Sequence, residues 1–152
     1  MSYSKPNASQ AAFAYQKASD PISYIPVVVA VYNGLLHHLH IAKEQFETRR
    51  ISQCMQTLNT VSEVLCGLQR NLRYEGSPTL ADHLSTFYDF NIVAVSALVS
   101  HRFEPKVFDG IVTRLTLMRD AWADVAAQNK PVMLNSTQDV AVKQTEDGVR
   151  VV

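Results

Sequence analysis

The chain has 152 residues, about the size of one ordinary domain, and 47% of them are hydrophobic, enough for a sizeable core. Lysine plus arginine and aspartate plus glutamate both total 14, so no net charge draws the protein to a polyanion, and neither nucleic-acid binding nor attraction to an anionic membrane is expected. Two cysteines, Cys54 and Cys66, are too few for a disulfide scaffold and read as buried thiols in a reducing compartment.

The N-terminal stretch "MSYSKPNASQAAFAYQKASDP" scatters Ser, Asn, Gln and Lys along its length and has no continuous apolar run, so it is not a secretory signal. Residues 1–21 are expected to form a flexible segment or lid. The longest apolar run, Ile25 to Leu36, is interrupted by Asn33 and falls short of the roughly 20 residues a membrane helix needs. A cytoplasmic protein without membrane insertion is the expectation.

Four segments then show helical periodicity, separated by short breaks that carry polar, Gly or Pro residues. In the first, Ile25, Val28, Tyr32, Leu35, Leu39, Ala42 and Phe46 recur at spacings of three and four, with Ser23 as the expected N-cap and Pro26 in the first turn. The second carries Cys54, Leu58, Val61, Leu65, Leu68 and Leu72 and ends before "YEGSP". The third, from about Thr79 to Arg102, carries Ala81, Leu84, Phe87, Tyr88, Ile92, Val95, Leu98 and Val99. The fourth, from about Pro105 to Gln128, carries Phe108, Ile111, Leu115, Met118, Trp122 and Val125. Helices of this length joined by short loops pack antiparallel with their neighbours, which predicts an all-α, up-down-up-down four-helix bundle over residues 22–128. Pro131 stops the last helix, and residues 129–152 read as a disordered tail whose scattered valines suit a short strand or docking peptide.

His37, His38 and His40 are the strongest lure toward chemistry. At 100° per residue His37, His40 and Glu44 share the face opposite the seam, whereas a metal site in a bundle projects its ligands inward from several helices. No metal site is assigned; weak chelation on the surface remains the alternative. His83 raises a histidine phosphotransfer bundle, but "LADHLSTFYDF" lacks the lysine and glycine that usually follow such a histidine. No phosphate-binding loop, dinucleotide fingerprint, C-x-x-C pair or nucleophile elbow is present, so neither catalytic residues nor a cofactor are assigned.

The apolar excess on the first helix is more informative. Val27 and Val29 lie about 100° to either side of the seam, so Val27 to Val31 is apolar nearly all round. Either the N-terminal segment folds back over it with Phe13 and Tyr15, or a partner docks there, unless the core face is simply broad.

Four stretches, "FAYQKA" (Phe13 to Ala18), "VYNGLLHHLHIAKEQF" (Val31 to Phe46), "NLRYEG" leading into "LADHLSTFYDF" (Asn71 to Phe90) and "RLTLMRDAW" (Arg114 to Trp122), resemble in order and spacing the FliS family of flagellar export chaperones. The likeness spans about Phe13 to Gln128. Asn33 stands where the family usually has an acidic residue, Val31 replaces a leucine, and Ile25-Pro26 lies near a common Ser-Pro position.

The resemblance implies a cytoplasmic, non-catalytic chaperone that captures the disordered C-terminal region of flagellin. That capture prevents premature polymerisation and delivers the subunit to the flagellar export gate, whose components are further candidate partners. It also implies an N-terminal segment that serves as a movable cover, giving Phe13 and Tyr15 a role as lid or partner contacts. A partner that folds on binding must bury a large apolar area to offset its lost entropy. Val27, Val28, Val31 and Tyr32 are the candidate contacts, and the free protein is expected to be a monomer or weak dimer. The alternatives are a helical adapter for another amphipathic peptide and a phosphotransfer or metal-binding bundle.

Overall fold

A computed structural model describes residues 21–73 and 77–128. It consists of four helices in chain order: α1 (Pro21–Glu47), α2 (Ile51–Arg70), α3 (Pro78–Ser100) and α4 (Pro105–Gln128). No strand occurs among the described residues. Each helix packs on its sequence neighbours, and α4 closes back on α1, so the four form an antiparallel ring with α1 diagonal to α3 and α2 diagonal to α4. Of the expected N-terminal lid, residues 1–21, all but Pro21, which opens α1, lies outside the described residues, as does the expected tail, residues 129–152.

The buried stripe of each helix is the one its periodicity predicts. Leu35, Leu39 and Ala42 of α1, Leu58, Val61 and Leu65 of α2, Leu84, Tyr88 and Val95 of α3, and Ile111, Leu115 and Trp122 of α4 meet in one core. Burying a side chain of this size contributes about 1.5–3 kcal/mol by transfer from water. Across the diagonal the Tyr32 and Tyr88 hydroxyls lie 2.8 Å apart and hydrogen-bond at the centre of the bundle. The pair links helices that have no direct backbone contact with each other.

The helix ends have identifiable causes. At the α1–α2 turn the Arg50 amide donates to the Gln45 carbonyl at 2.8 Å and the Arg49 amide to Phe46 at 3.0 Å, the bond pair of a Schellman stop. Such a stop needs a left-handed residue, and here Arg49 supplies it at φ 62°, a position that glycine occupies at lower cost. Pro78 and Pro105 open α3 and α4, where the missing amide would have no partner within the helix. At the end shared by the α1–α2 and α3–α4 turns, Phe103 stacks on Phe46 at 4.0 Å between ring centres and tilts against Phe108 at 5.2 Å. Those three rings seal that end of the core.

One expectation changes. Ser23 is not the N-cap, because α1 is already helical at Pro21, and Pro26 therefore lies inside the helix rather than in its first turn. Its ring cannot donate the i to i−4 bond there. Extended this way, α1 has a stretch, Ile25–Glu47, that is long and apolar enough to cross a membrane by length and composition alone. In the bundle its seam is buried against α2 and α4, the position of a core helix.

Candidate functional site

The described surface has two apolar regions that the core does not use. The first lies on α1. Val27 is 54% exposed, while Val29 and Val31 are partly buried and packed against the core. Val27 and Val31 sit on the side of α1 that turns toward α2: Gln45, at the same angle as Val27 by helical period, accepts a hydrogen bond from Thr57 of α2 at 2.7 Å. Val28 and Tyr32, expected from the sequence as partner contacts, are buried core residues. Both belong to the seam at three-and-four spacing, so in the free protein they lie beneath the surface that Val27 and Val31 present. Phe13 and Tyr15, the expected lid residues, lie outside the described residues.

The second region lies on α3 and α4. Phe90 and Val93 of α3 are 59% and 67% exposed, and Leu117 of α4 is 66% exposed. Periodicity did not single out these three, although Phe90 and Leu117 are about 200° from Tyr88 and Leu115 respectively and so point away from the core stripe. Next to Phe90 in the chain is Asn91, the one buried residue of polar or charged type among the described residues. Its amide nitrogen donates to the Phe87 carbonyl at 2.8 Å, and its oxygen accepts from Arg114 Nε at 2.9 Å. The Arg114 guanidinium also lies over the Phe90 ring, 4.6 Å from the ring centre, a cation–π arrangement that holds the ring in place. Gly110 leaves the room this needs, since a Cβ there would come within 3.0 Å of the guanidinium.

His37 and His40 occupy the face predicted for them. His37 and His40 are exposed with Glu44, and His38 is half-buried, its Nδ1 2.8 Å from the Gly34 carbonyl. That contact requires the Nδ1 proton on His38, with the carbonyl accepting. His83 is exposed on α3. Among the described residues no group of three His, Cys, Asp or Glu side chains is placed to hold a metal ion. Burial pushes the Cys54 thiol above its ordinary range, which suppresses the reactive thiolate at neutral pH.

Polar contacts tie the remaining seams. Gln69 of α2 donates to the Asp89 carboxylate at 2.6 Å and to the Ser85 carbonyl at 3.1 Å, joining α2 to α3. On the other side of α1, Arg119 Nη1 donates to Asn33 Oδ1 at 3.3 Å, joining α4 to α1. The position where the sequence lacks an acidic group thus keeps a contact to a cation, as a neutral acceptor.

Comparison with known proteins supplies the remaining finding. The model of one protein family, described as flagellar protein FliS, matches residues 8–129. No curated protein matches the chain.

Proposed function

Because the chain belongs to the FliS family, a family of flagellar export chaperones rather than enzymes, we propose that it captures the disordered C-terminal region of flagellin, holds it from premature polymerisation and delivers it to the type III export apparatus in the cytoplasm. The observation that carries the reading is an apolar excess on α1 that the core does not absorb, with Val27 more than half exposed beside a fully buried seam. A chain that orders only on binding needs an extended apolar track, since each ordered residue costs about 1–2 kcal/mol of backbone entropy that buried area must offset.

Val27 and Val31 make the direct contact, with Val28 and Tyr32 as the rigid wall behind them. Phe13 and Tyr15 cover the same surface when no flagellin is bound. Neither metal nor cofactor takes part, and the free protein is a monomer or a weak dimer. The chain's equal numbers of acidic and basic residues predict capture that depends weakly on salt.

The decisive experiment is a pull-down with full-length flagellin and with flagellin lacking its C-terminal segment. Capture of the first and loss of the second is expected, and undiminished capture of the truncated flagellin rules the reading out. Val27→Asp, at an exposed site, should weaken capture about tenfold, corresponding to about 1.4 kcal/mol, while leaving the thermal melt in place.

A further inference from the structure

The apolar strip along the α3–α4 seam has features the α1 surface lacks. On α3, Phe90, Ala94 and Ala97 follow one another at spacings of four and three; on α4, Gly110, Leu117 and Ala121 follow at seven and four. The two rows lie side by side, because Arg114 reaches from α4 to Asn91 and over Phe90. Of the four neighbouring helix pairs, α3 and α4 pack least closely. Ala94, Ala97 and Ala121 are half-buried beside Phe90 and Leu117, both more than half exposed, and the Arg114 guanidinium lies between the rows over the Phe90 ring. A strip of this kind on a helical bundle marks a docking surface.

The sequence supplies an occupant. The family match stops at residue 129, and 24 residues follow Gln128, where α4 ends. They begin with Asn129-Lys130-Pro131, whose proline lacks the amide that a continuing helix uses, and Val132-Met133-Leu134 comes directly after. Farther on, Val140 and Val142 alternate with smaller or polar neighbours, the period of an extended chain with one apolar side.

The lengths agree. Leu117 lies about 16 Å back from the end of α4 at 1.5 Å per residue. Six residues separate Gln128 from Leu134, and extended at about 3.3 Å per residue they span about 20 Å, so a chain that reverses directly after Gln128 brings Leu134 to that level, and Val140 and Val142 have length to spare for Phe90.

We propose that the segment 130–152 docks in the free protein along the apolar strip between α3 and α4, with Val132, Met133 and Leu134 against Leu117 and Ala121. Its attachment to α4 makes docking intramolecular, so the weak affinity of a short peptide suffices to hold it. The strip is thereby kept from other copies of the chain, and this cover is separate from anything residues 1–21 do at α1. It stands whether or not flagellin is the partner.

The test uses the full chain carrying a nitroxide at Leu134→Cys in a Cys54→Ala/Cys66→Ser background, enriched in 15N. Selective broadening of the amides of residues 90–97 and 114–121, with those of residues 52–63 on α2 unaffected, is the expected result. Adding Leu117→Asp, at an exposed position that leaves the fold intact by circular dichroism, should abolish the broadening. Broadening that is absent, or uniform over all four helices, overturns the proposal. So does broadening that survives Leu117→Asp. A mixture of spin-labelled unenriched protein with unlabelled 15N protein should show none; transfer of the effect to that mixture would make a second copy the occupant and overturn intramolecular docking.

Discussion

The two halves of the bundle solve the same packing problem differently. Around α1 the contacts are close and their core is apolar: Leu35, Leu39 and Ala42 are sealed against α2 and α4, the Tyr32 hydroxyl bonds to Tyr88 across the core, and the bonds from Thr57 to Gln45 and from Arg119 to Asn33 lie outside it. Between α3 and α4 the contact is sparse, a buried asparagine and a half-buried arginine join the helices, and large apolar groups remain outside. The contrast teaches that apolar content does not locate the core. Leu39 and Leu117 are the same residue type on helices of similar length, and the ring of four helices decides which one is removed from water.

The largest effect should come from that pair. Leu39→Ala deletes a fully buried side chain and should cost about 2–5 kcal/mol, through lost transfer energy and the cavity left behind. Leu117→Ala removes the same atoms from a two-thirds exposed site and should change stability by less than about 0.5 kcal/mol. Urea unfolding of both variants checks the difference; equal losses would mean that the α3–α4 strip is as well covered as the core.

The seam between α3 and α4 comes next. Arg114→Met keeps an unbranched apolar stem beside Phe90 but removes the donor to Asn91, whose oxygen is enclosed in the core. A buried acceptor that loses its partner costs about 1–3 kcal/mol. Adding Asn91→Leu to Arg114→Met should then restore part of the loss, because no polar group is left stranded. A double variant weaker than both singles would show that the bond is incidental and that the guanidinium acts by packing alone.

These two predictions also mark what the sequence made legible. The four stripes were readable because they depend only on local period, and α4 runs from Pro105 to Gln128 as the proline and the last apolar position predict. The start of α1 was not, since Ser23 is a good N-cap in isolation while the backbone is already helical at Pro21. The burial of Val28 and Tyr32 follows from their core spacing, and of the three valines and the tyrosine named as contacts only Val27 is more than half exposed in the free protein. The Asn91–Arg114 bond spans 23 residues and the Asn33–Arg119 bond 86. Neither has a local signature, because such pairs are selected by which helix faces meet.

On the α1 side, the tyrosine pair tests how much of the core's order is polar. Tyr32→Phe and Tyr88→Phe should each cost about 1 kcal/mol, the net worth of an intramolecular hydrogen bond. If the hydroxyls act mainly on each other, the double variant should lose less than the sum of the two, and a double-mutant cycle on chemical-denaturation data measures the difference. Strict additivity would show that each hydroxyl is held by other groups and that the diagonal link contributes no coupling.

The smallest effect concerns the position where the chain departs from the usual family pattern. Asn33 accepts from Arg119 at 3.3 Å, near the long end of hydrogen-bond range, at a site open to solvent. Asn33→Asp replaces a neutral acceptor with a charged one and should stabilise the α1–α4 seam by no more than about 0.5 kcal/mol, because an exposed ion pair is screened and loses side-chain freedom. The sign follows from charge: beside the Arg119 guanidinium the gain needs the introduced carboxylate in its ionised form, is present at neutral pH, and fades as acid protonates that carboxylate. Raising the salt concentration at neutral pH should shrink the gain as well. Arg119 also bonds to Asp120 at 2.9 Å, and competition between the two carboxylates limits what the new one contributes. A salt-independent gain, or one well above about 1 kcal/mol, the ceiling for an exposed pair, would mean that the α1–α4 seam is drier than the exposure of Asn33 indicates, and would place this helix pair even further from the loosely joined α3 and α4.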